Sequence, residues 1–301
     1  MNAPVVVFTY NRPQHTQQTI NALCNAHHAN QTHLIVYSDA PRTIADENAV
    51  ADVRNIIHHI DGFAKITIVE REKNIGLANN IISGLSEVFV EYDRAIVIED
   101  DIVATEGFLD YMNAALSFYE NKNVWSIAGY TPPIDVPQNY NYSTYFAPRN
   151  CSWGWATWRN KWLETDWQVS DFDQFIRNKQ ARHTFNYAGT DLSAMLLRWR
   201  IGEINSWSVR FCYAAFKSNQ STVYPTISLV KNAGTDGSGT NVSRTLRYES
   251  ETTSYLNVEQ FAPTTIGVNE QILSSFRKTY NCSFIRRCIN YLKLLLYIIQ
   301  K

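Results

Sequence analysis

The sequence predicts an α/β protein in which a mostly parallel sheet is flanked by helices, and three observations support this. Short runs of strand-forming residues alternate with segments of helical periodicity through roughly the first hundred residues. The connections are long enough for helical crossovers, which join parallel strands. Polar residues follow the ends of successive strands and would therefore gather at the carboxyl edge of the sheet, where such folds bind ligands.

The elements follow from Val- and Ile-rich runs that end in polar or turn residues. Strands are predicted at 5–9, 34–38, 66–69 and 95–98, with helices running to about residue 26, around 50–57 and from about 77 to 91. After about residue 125 this alternation fades, and the chain becomes dense in aromatic residues and then in Asn, Ser and Gly. With no long linker between them, the two parts are expected to form one fold.

Composition bounds the functional class. The 301 residues carry a formal net charge of −1 and are 45% hydrophobic and 13% aromatic. Such a chain has a packed core. Because its net charge is not positive, it is not expected to bind nucleic acid by neutralising phosphates. Its five cysteines are widely spaced and include no CxxC pair. That pattern fits a reducing compartment and argues against a disulfide framework or a zinc site.

Three consecutive acidic residues follow the fourth predicted strand: Glu99, Asp100 and Asp101. Adjacent carboxylates repel one another, and a cation between them relieves the repulsion. Oxygen ligands suit a hard divalent ion such as Mg²⁺ or Mn²⁺, and an ion at this edge of a sheet commonly has a phosphate beside it. The alternative is a solvated acidic turn.

The chain ends in an amphipathic segment. Its apolar run, 294–299, is shorter than the ~20 residues needed to span a bilayer. Arg286, Arg287 and Lys293 lie close to it, together with aromatic residues. This composition is typical of a helix in a membrane interface, attracted to anionic lipid. The alternative is a terminal helix docked on the domain or on a partner subunit.

Six motifs in order resemble glycosyltransferases of the GT-A fold, in particular bacterial sugar transferases related to the N-acetylglucosaminyltransferase I type. They are Val-Val-Val-Phe-Thr-Tyr-Asn-Arg-Pro (5–13), Ser-Asp-Ala-Pro (38–41), Glu-Lys-Asn-Ile-Gly-Leu-Ala (72–78), Val-Ile-Glu-Asp-Asp (97–101), Ser-Trp-Gly-Trp-Ala-Thr-Trp (152–158), and Ser206-Trp207 to Arg210 with Asp-Gly-Ser-Gly-Thr (236–240). The resemblance implies a nucleotide-sugar-binding half (1–125), an acceptor and catalytic half of the same domain (126–280) and a membrane-associating helix (281–301).

The resemblance also implies where the donor binds. Asp101 would be the metal ligand, assisted by Asp100, with Mn²⁺ or Mg²⁺ stabilising the diphosphate leaving group. Nucleotide and donor contacts would come from Thr9, Asn11, Arg12, Asp39, Arg71, Asn74, Glu99 and Asp100. Local structure offers alternatives, since Asp39 could be a helix N-cap and 74–76 a plain turn before a helix.

The acceptor site and the catalytic base are predicted in the second half. Trp153 and Trp155 flank Gly154 and could stack on a sugar, and Trp155, Trp207 and Arg210 are the predicted acceptor contacts, although a core role for Trp155 is equally compatible. Related enzymes place an Asp just before the Trp matched by Trp207, where this chain has Asn205. Candidate bases are therefore Glu203, Asp191 and Asp236. Asn241 replaces a His that relatives could use as a late metal ligand.

The predicted function is transfer of a sugar from a nucleotide diphosphate sugar, UDP-linked, to a glycan acceptor. The acceptor is expected to be a lipid-linked surface polysaccharide at the inner face of the cytoplasmic membrane, and the reaction is expected to be inverting, with retention left open by Asn205. One alternative is a degenerate member that binds nucleotide sugar or glycan without turnover. Another is a sugar nucleotidyltransferase, which the lack of a Gly-rich loop after the first strand disfavours.

Overall fold

The computed structural model of the protein describes residues 2–236 and 245–300, except for the side chain of Asp236. The strands are β1 (Val5–Thr9), β2 (His33–Ser38), β3 (Lys65–Glu70), β4 (Arg94–Glu99), β5 (Ile102–Ala104), β6 (Val124–Ala128), β7 (Thr144–Ala147), β8 (Trp155–Trp158), β9 (Ser221–Pro225) and β10 (Val230–Asn232). The helices are α1 (Pro13–Cys24), α2 (Glu47–His58), α3 (Leu77–Glu91), α4 (Phe108–Phe118), α5 (Arg159–Leu163), α6 (Phe172–Arg177), α7 (Lys179–Phe185), α8 (Leu192–Arg200), α9 (Trp207–Lys217), α10 (Glu270–Tyr280) and α11 (Phe284–Gln300).

One large sheet runs through the molecule in the order β3-β2-β1-β4-β8-β6-β9-β7. Strands β1 to β4 are mutually parallel, while β8 is antiparallel to both β4 and β6. The predicted α/β class with a mostly parallel sheet is confirmed, and the four predicted strands correspond to β1–β4. A second, antiparallel ribbon pairs β5 with β10 just beyond the acidic residues.

The sheet separates two apolar cores, because alternate side chains of a strand point to opposite faces. In β1, Val5 and Val7 belong to the core beneath α1 and α4, whereas Val6 and Phe8 belong to the core beneath α3 and α9. All four side chains are at most 2% exposed. The strand therefore reads as a continuous apolar run, as expected when both faces of a parallel sheet are covered.

Both predicted halves contribute to this sheet. Strand β6 spans the predicted boundary between residues 125 and 126, and β6, β8 and β9 extend the sheet begun by β1–β4. A third apolar cluster is built by α6 to α9 beside the sheet, and Leu294 and Tyr297 of α11 pack against it. In the described part of the chain, no helix has the length and apolar character required to cross a membrane.

Candidate active site

The carboxyl ends of β1 to β4 place the predicted donor-site residues along one edge of the sheet. The parallel registers align Thr9 with Ser38, Ser38 with Glu70, and Phe8 with Glu99. The loops that follow these strands carry Arg12, Asp39, Arg71 and the acidic residues. The predicted gathering of polar residues on one edge is what the structure shows.

Arg12 is the cation of the acidic cluster. Its Nη2 donates to Asp100 Oδ1, and its Nη1 lies 3.0 Å from Asp101 Oδ2. The backbone N–H of Tyr10 donates to the other oxygen of Asp100, at 3.3 Å. Asp100 is only 4% exposed. One guanidinium thus faces three carboxyl groups, so the fully ionised cluster retains a surplus of negative charge.

Burial and this surplus of negative charge raise the pKa values of two carboxyl groups in the cluster. Burial, followed by repulsion from Asp101 and Asp100, raises the pKa of Glu99 to about 8. Burial raises the pKa of Asp100 to about 6 although Arg12 opposes the shift. For Arg12, burial disfavours the charged form, but the charges of Asp100 and Asp101 outweigh it and raise the pKa. The cluster would therefore be relieved by an additional cation.

A glycine-containing turn lies directly against Asp101. The N–H of Ala233 donates to the Asp101 carbonyl at 2.8 Å, and β10 pairs Asn232 with Ile102. A Cβ added to Gly234 would stand 2.2 Å from Asp101 Oδ2, so only glycine allows this approach. The turn at 233–236 and the acidic residues therefore form one unit, although they are more than 130 positions apart in the sequence.

The fit of a divalent ion depends on which oxygens remain free. Arg12 and Tyr10 occupy both Asp100 oxygens, which makes Asp100 a poorer ligand than the sequence predicts. Asp101 Oδ1 and the Glu99 carboxyl have no hydrogen-bond partner within the described residues. No group of three or more His, Cys, Asp or Glu placed to hold a metal occurs in 2–236 and 245–300. Two carboxylates fit a Mg²⁺ or Mn²⁺ ion that completes its shell with phosphate oxygens and water.

Asp39 holds two loops together at the carboxyl edge of the sheet. Its carboxylate accepts from the backbone N–H groups of Ala40 (2.9 Å), Ile75 (3.1 Å) and Gly76 (2.9 Å), and the side chain is 3% exposed. Gly76 has φ of 75° and is the N-cap residue of α3. The N–H groups of Ile75 and Gly76, at the start of α3, thus point to Asp39. The nucleotide contact of Asp39 itself stays a prediction.

The other predicted donor residues also engage neighbouring loops. Thr9 donates to the Tyr37 carbonyl (3.4 Å), Asn11 to Asp46 (2.7 Å) and Asn74 to the Ala40 carbonyl (2.7 Å). Arg71 is fixed along α3, donating to Asn80 (3.0 Å), Ser83 (3.1 Å) and Glu87 (3.0 Å), and lies 4.9 Å above the Tyr37 ring. These contacts give the edge a rigid frame, in which Arg71 has a structural role that the sequence did not predict.

Two candidate bases are held in ion pairs. Glu203 pairs with Arg198 at 3.1 Å and with Lys293 of α11, and the hydrogen bond from Lys293 is the main reason that its pKa is lowered. Asp191 receives both Nη groups of Arg149, at 2.7 and 2.9 Å. Neither carboxylate has a contact with the acidic cluster. Two cations hold Glu203 on the α8–α11 surface, and Asp191 holds Arg149, which argues against either carboxylate as the base; both assignments stay predictions.

The third candidate lies partly outside the described residues. Asp236 ends the short turn at 233–236, which packs on Asp101, but its side chain is not among those described. The rest of the motif, 237–240, and Asn241 lie outside the described residues as well. The assignments made for Asp236 and Asn241 therefore stay predictions.

The predicted acceptor contacts are part of the core. Trp155 and Trp207 stack with ring centroids 4.8 Å apart and are 0% and 3% exposed. Arg210 is 6% exposed and donates to the carbonyls of Ser206 (3.0 Å) and Trp167 (3.1 Å). Burial lowers the pKa of Arg210 to about 10. None of these three side chains has a surface to offer a sugar in this structure, which argues against their assignment as acceptor contacts.

Of the two tryptophans that flank Gly154, Trp153 is the one that lies partly exposed. Strand β8 begins opposite Val97, two residues before Glu99, so the segment before β8 reaches the acidic edge. Gly154 has φ of 57°, which interrupts the alternation of side chains. Trp155 thus enters one core, while Trp153 lies partly exposed at the edge of the other, with Tyr130 at 4.5 Å and Tyr248 at 5.4 Å between ring centroids. The glycine between the two tryptophans was the signal in the sequence.

A comparison with protein families decides the assignment. The sequence model of the GNT-I family matches residues 1–197, about two thirds of the chain. The chain belongs to the GNT-I family. The matched range contains β1 to β4 with the loops that follow them and the acidic cluster, and it ends before Glu203, Trp207 and the turn at 233–236. No curated protein sequence matches the chain.

Solved structures overlap with this GNT-I family member at low similarity. One is S. aureus TarS, with 14% identity, a TM-score of 0.39 and coverage of 75% of this chain and 37% of TarS. Another is assigned as a nucleotide-diphospho-sugar transferase from Desulfovibrio desulfuricans G20, with 9% identity, a TM-score of 0.38 and coverage of 74% and 80%. A UDP-glucose pyrophosphorylase complexed with UDP-glucose has 11% identity, a TM-score of 0.38 and coverage of 76% and 92%. The chain thus spans little more than a third of TarS.

Family membership and topology together give the general class. The GNT-I family match and the mostly parallel sheet with helices on both faces are consistent with a GT-A fold. Members of this family usually use a divalent metal. In the structure, the carboxyl edge of β1 to β4, Arg12 and the acidic cluster are all built by the matched part of the chain.

Proposed function

We propose that the protein transfers a sugar from a UDP-linked donor to a glycan acceptor, with assistance from Mg²⁺ or Mn²⁺ and inversion at the anomeric carbon. The observation that carries this proposal is the acidic cluster, in which the pKa values of Glu99 and Asp100 are raised and one oxygen of Asp101 is unused. Its position at the carboxyl edge of β4 is where a nucleotide diphosphate binds in folds of this kind.

Each residue of the cluster has a separate task in this proposal. Asp101 and Glu99 supply oxygen ligands, and a bound cation would stabilise the charge of the departing diphosphate as a Lewis acid. Asp100 fixes Arg12 against the cluster. Gly234 lets the turn at 233–236 approach Asp101, so that this turn shapes the site from the opposite side. Asp39 keeps the loop before α3 in place.

The acceptor side depends on two residues in the second half. With Glu203 and Asp191 committed to cations, Asp236 is the remaining candidate for the base that deprotonates the acceptor hydroxyl. Its support is the packing of its turn on Asp101. Trp153 offers an aromatic face at the same edge, and sugar rings pack their C–H faces on such surfaces.

We further propose a lipid-linked glycan as acceptor, which places the protein peripherally on the inner face of the cytoplasmic membrane. The support is α11, which carries basic and apolar residues and no acidic one. A donor from the nucleotide-sugar pool and a membrane-borne acceptor would then meet at one surface.

A thermal-shift screen tests the donor and the metal. UDP and several UDP-sugars are each measured with and without Mn²⁺, because a ligand that binds the folded state raises its stability by mass action. At 100 times Kd the gain is about 2.7 kcal/mol, on the order of 5 °C. Asp101→Asn should abolish the metal-dependent part of the shift. The matched control is Asp110→Asn, since Asp110 is a surface carboxylate paired with His27 and His28.

A second candidate is a protein that binds the nucleotide sugar without turnover. The specific observation in its favour is that Glu203 and Asp191 are both neutralised by arginine or lysine, which leaves them poor bases. A hydrolysis and transfer assay separates the two functions. Metal-dependent binding with no release of UDP, in wild type and in Asp236→Asn alike, would favour the binding protein.

A further inference from the structure

Helix α11 attaches to the rest of the protein through its more polar side. Lys293 forms an ion pair with Glu203, and the Tyr297 hydroxyl donates to Asp173 Oδ1 at 2.7 Å. Leu294 and Tyr297 pack against the cluster built by α6 to α9, and Asn290 donates to the sulfur of Cys282 at 3.9 Å. These residues recur at helical spacing and define the inner face of α11.

The opposite side of α11 is an exposed apolar stripe. Ile285, Leu292, Leu296 and Ile299 are 72%, 59%, 58% and 79% exposed and lie 7, 4 and 3 residues apart, which places them along one face of the helix. Phe284 and Tyr291 extend it and are 78% and 59% exposed. A helix on a soluble domain ordinarily faces its apolar stripe inward. Here the apolar stripe faces away from the body of the protein.

The charge on this helix selects among possible partners. Residues 284–300 contain three basic side chains and no acidic one. Lys293 is paired with Glu203, which leaves Arg286 and Arg287 exposed in the first turn. A two-fold dimer through the stripe would bring two copies of α11 together. Neither copy of the helix carries a carboxylate that could pair with the arginines of the other. An anionic lipid surface matches both the stripe and the arginines.

We propose that the outward stripe of α11 inserts into the headgroup region of an anionic membrane, with the helix axis in the membrane plane. The α8–α11 side of the protein then faces the lipid, and Glu203 holds the helix to the body through Lys293. This inference deepens the membrane location proposed above by assigning the surface of α11 that makes the contact. It does not depend on the proposed sugar transfer, because vesicle binding is measured without donor or acceptor.

Flotation with vesicles tests the stripe. The protein of 301 residues is mixed with phosphatidylcholine vesicles that contain or lack the anionic lipid phosphatidylglycerol. It should float with the anionic vesicles only. Leu292→Glu/Leu296→Glu should abolish flotation, because the stripe then carries two charges. The matched control is Ile44→Glu/Val90→Glu, since these side chains are 85% and 82% exposed and lie outside α11.

The contribution of the two arginines to vesicle binding is tested by substituting them. Arg286→Gln/Arg287→Gln should weaken binding to anionic vesicles about 30-fold, since each basic residue near the surface contributes about 5-fold in affinity. Cys288 is exposed in the first turns of α11 and provides a site for an environment-sensitive dye. Its emission should shift to the blue with anionic vesicles. The proposal is overturned if the Leu292→Glu/Leu296→Glu variant floats as well as the wild type. It is also overturned if the wild type does not bind the vesicles but forms a dimer in solution that this variant dissociates.

Discussion

Arg12 Nη1 lies 3.0 Å from Asp101 Oδ2, so a side chain of the first loop already supplies positive charge to the carboxylate predicted to bind the metal. The same guanidinium pairs with Asp100, which is almost fully buried. Without another cation, Arg12 is what makes this group of carboxyls tolerable in the folded state. A bound divalent ion would share Asp101 with Arg12.

Arg12→Met should therefore destabilise the metal-free protein. Removing one partner of a buried pair costs about 3–5 kcal/mol, and because Arg12 is 22% exposed we expect on the order of 2–3 kcal/mol. The loss should be smaller at pH 5, since the pKa of Asp100 is raised to about 6 and its carboxyl then becomes neutral. Urea unfolding at pH 7.5 and pH 5 measures both effects.

A comparison variant and an added ion separate this role from a general loss of charge. Arg54→Met removes a partly exposed pair with Glu70 and should cost less than 1 kcal/mol at either pH. Mn²⁺ should restore more stability to Arg12→Met than to wild type, because the ion then has no competitor at Asp101. Equal stabilisation of the two proteins would show that Arg12 and the ion do not share a site.

The cluster also predicts an unusual pH dependence. The pKa of Glu99 is raised to about 8 in the folded protein, from about 4.5 in the unfolded chain. The folded state therefore holds the proton more tightly, and the resulting stabilisation of the metal-free protein is complete below pH 4.5. It is lost progressively as the pH rises toward 8. Glu99→Gln should remove that part of the pH dependence. In wild type, Mn²⁺ affinity should increase about tenfold per pH unit between pH 6 and 8 if one proton is displaced.

Calorimetric titration with Mn²⁺ in two buffers of different ionisation enthalpy measures the released proton directly. The pH slope of the affinity should flatten in Glu99→Gln while the fold is unchanged. A pH-independent affinity in wild type would mean that the ion binds elsewhere or that Glu99 is already ionised at pH 6.

The close approach of Gly234 to Asp101 predicts that adding one methyl group at position 234 weakens metal-dependent binding at the site. In Gly234→Ala the new Cβ would stand 2.2 Å from Asp101 Oδ2, so either the turn or the carboxylate must move. Metal-dependent UDP binding should fall at least tenfold, with a smaller effect on binding of UDP alone. Gly62→Ala is the control, because a Cβ added to Gly62 has no atom within 4 Å, and the positive φ of Gly62 (84°) makes this variant strained without crowding Asp101. Equal losses of metal-dependent UDP binding in both variants would show that the effect is a general loss of stability and not the contact with Asp101.

The sequence predicted the elements that local patterns determine. Val- and Ile-rich strands, their order and the polar carboxyl edge follow from side-chain alternation and crossover length, which act over a few residues. What it could not predict are the partners that distant segments provide. The carboxylate of Asp39 is saturated by amides from 40, 75 and 76, and Glu203 is paired with Lys293, 90 residues away. Each of these roles is set by tertiary contact, which no spacing in the chain encodes.

The two tryptophans that flank Gly154 give the last prediction, because they should respond to substitution in opposite ways. Trp155→Ala removes a fully buried ring stacked on Trp207 and should cost about 3–5 kcal/mol of stability. Trp153→Ala removes a partly exposed ring and should cost far less. If Trp153 packs on the sugar, the variant should lose about 5- to 10-fold in affinity for the UDP-sugar, with UDP binding unchanged. Isothermal titration with UDP and with the UDP-sugar measures the increment due to the sugar, and Trp153→Phe should restore part of it. An equal loss for UDP and UDP-sugar would show that Trp153 supports the fold of the site and does not contact the sugar.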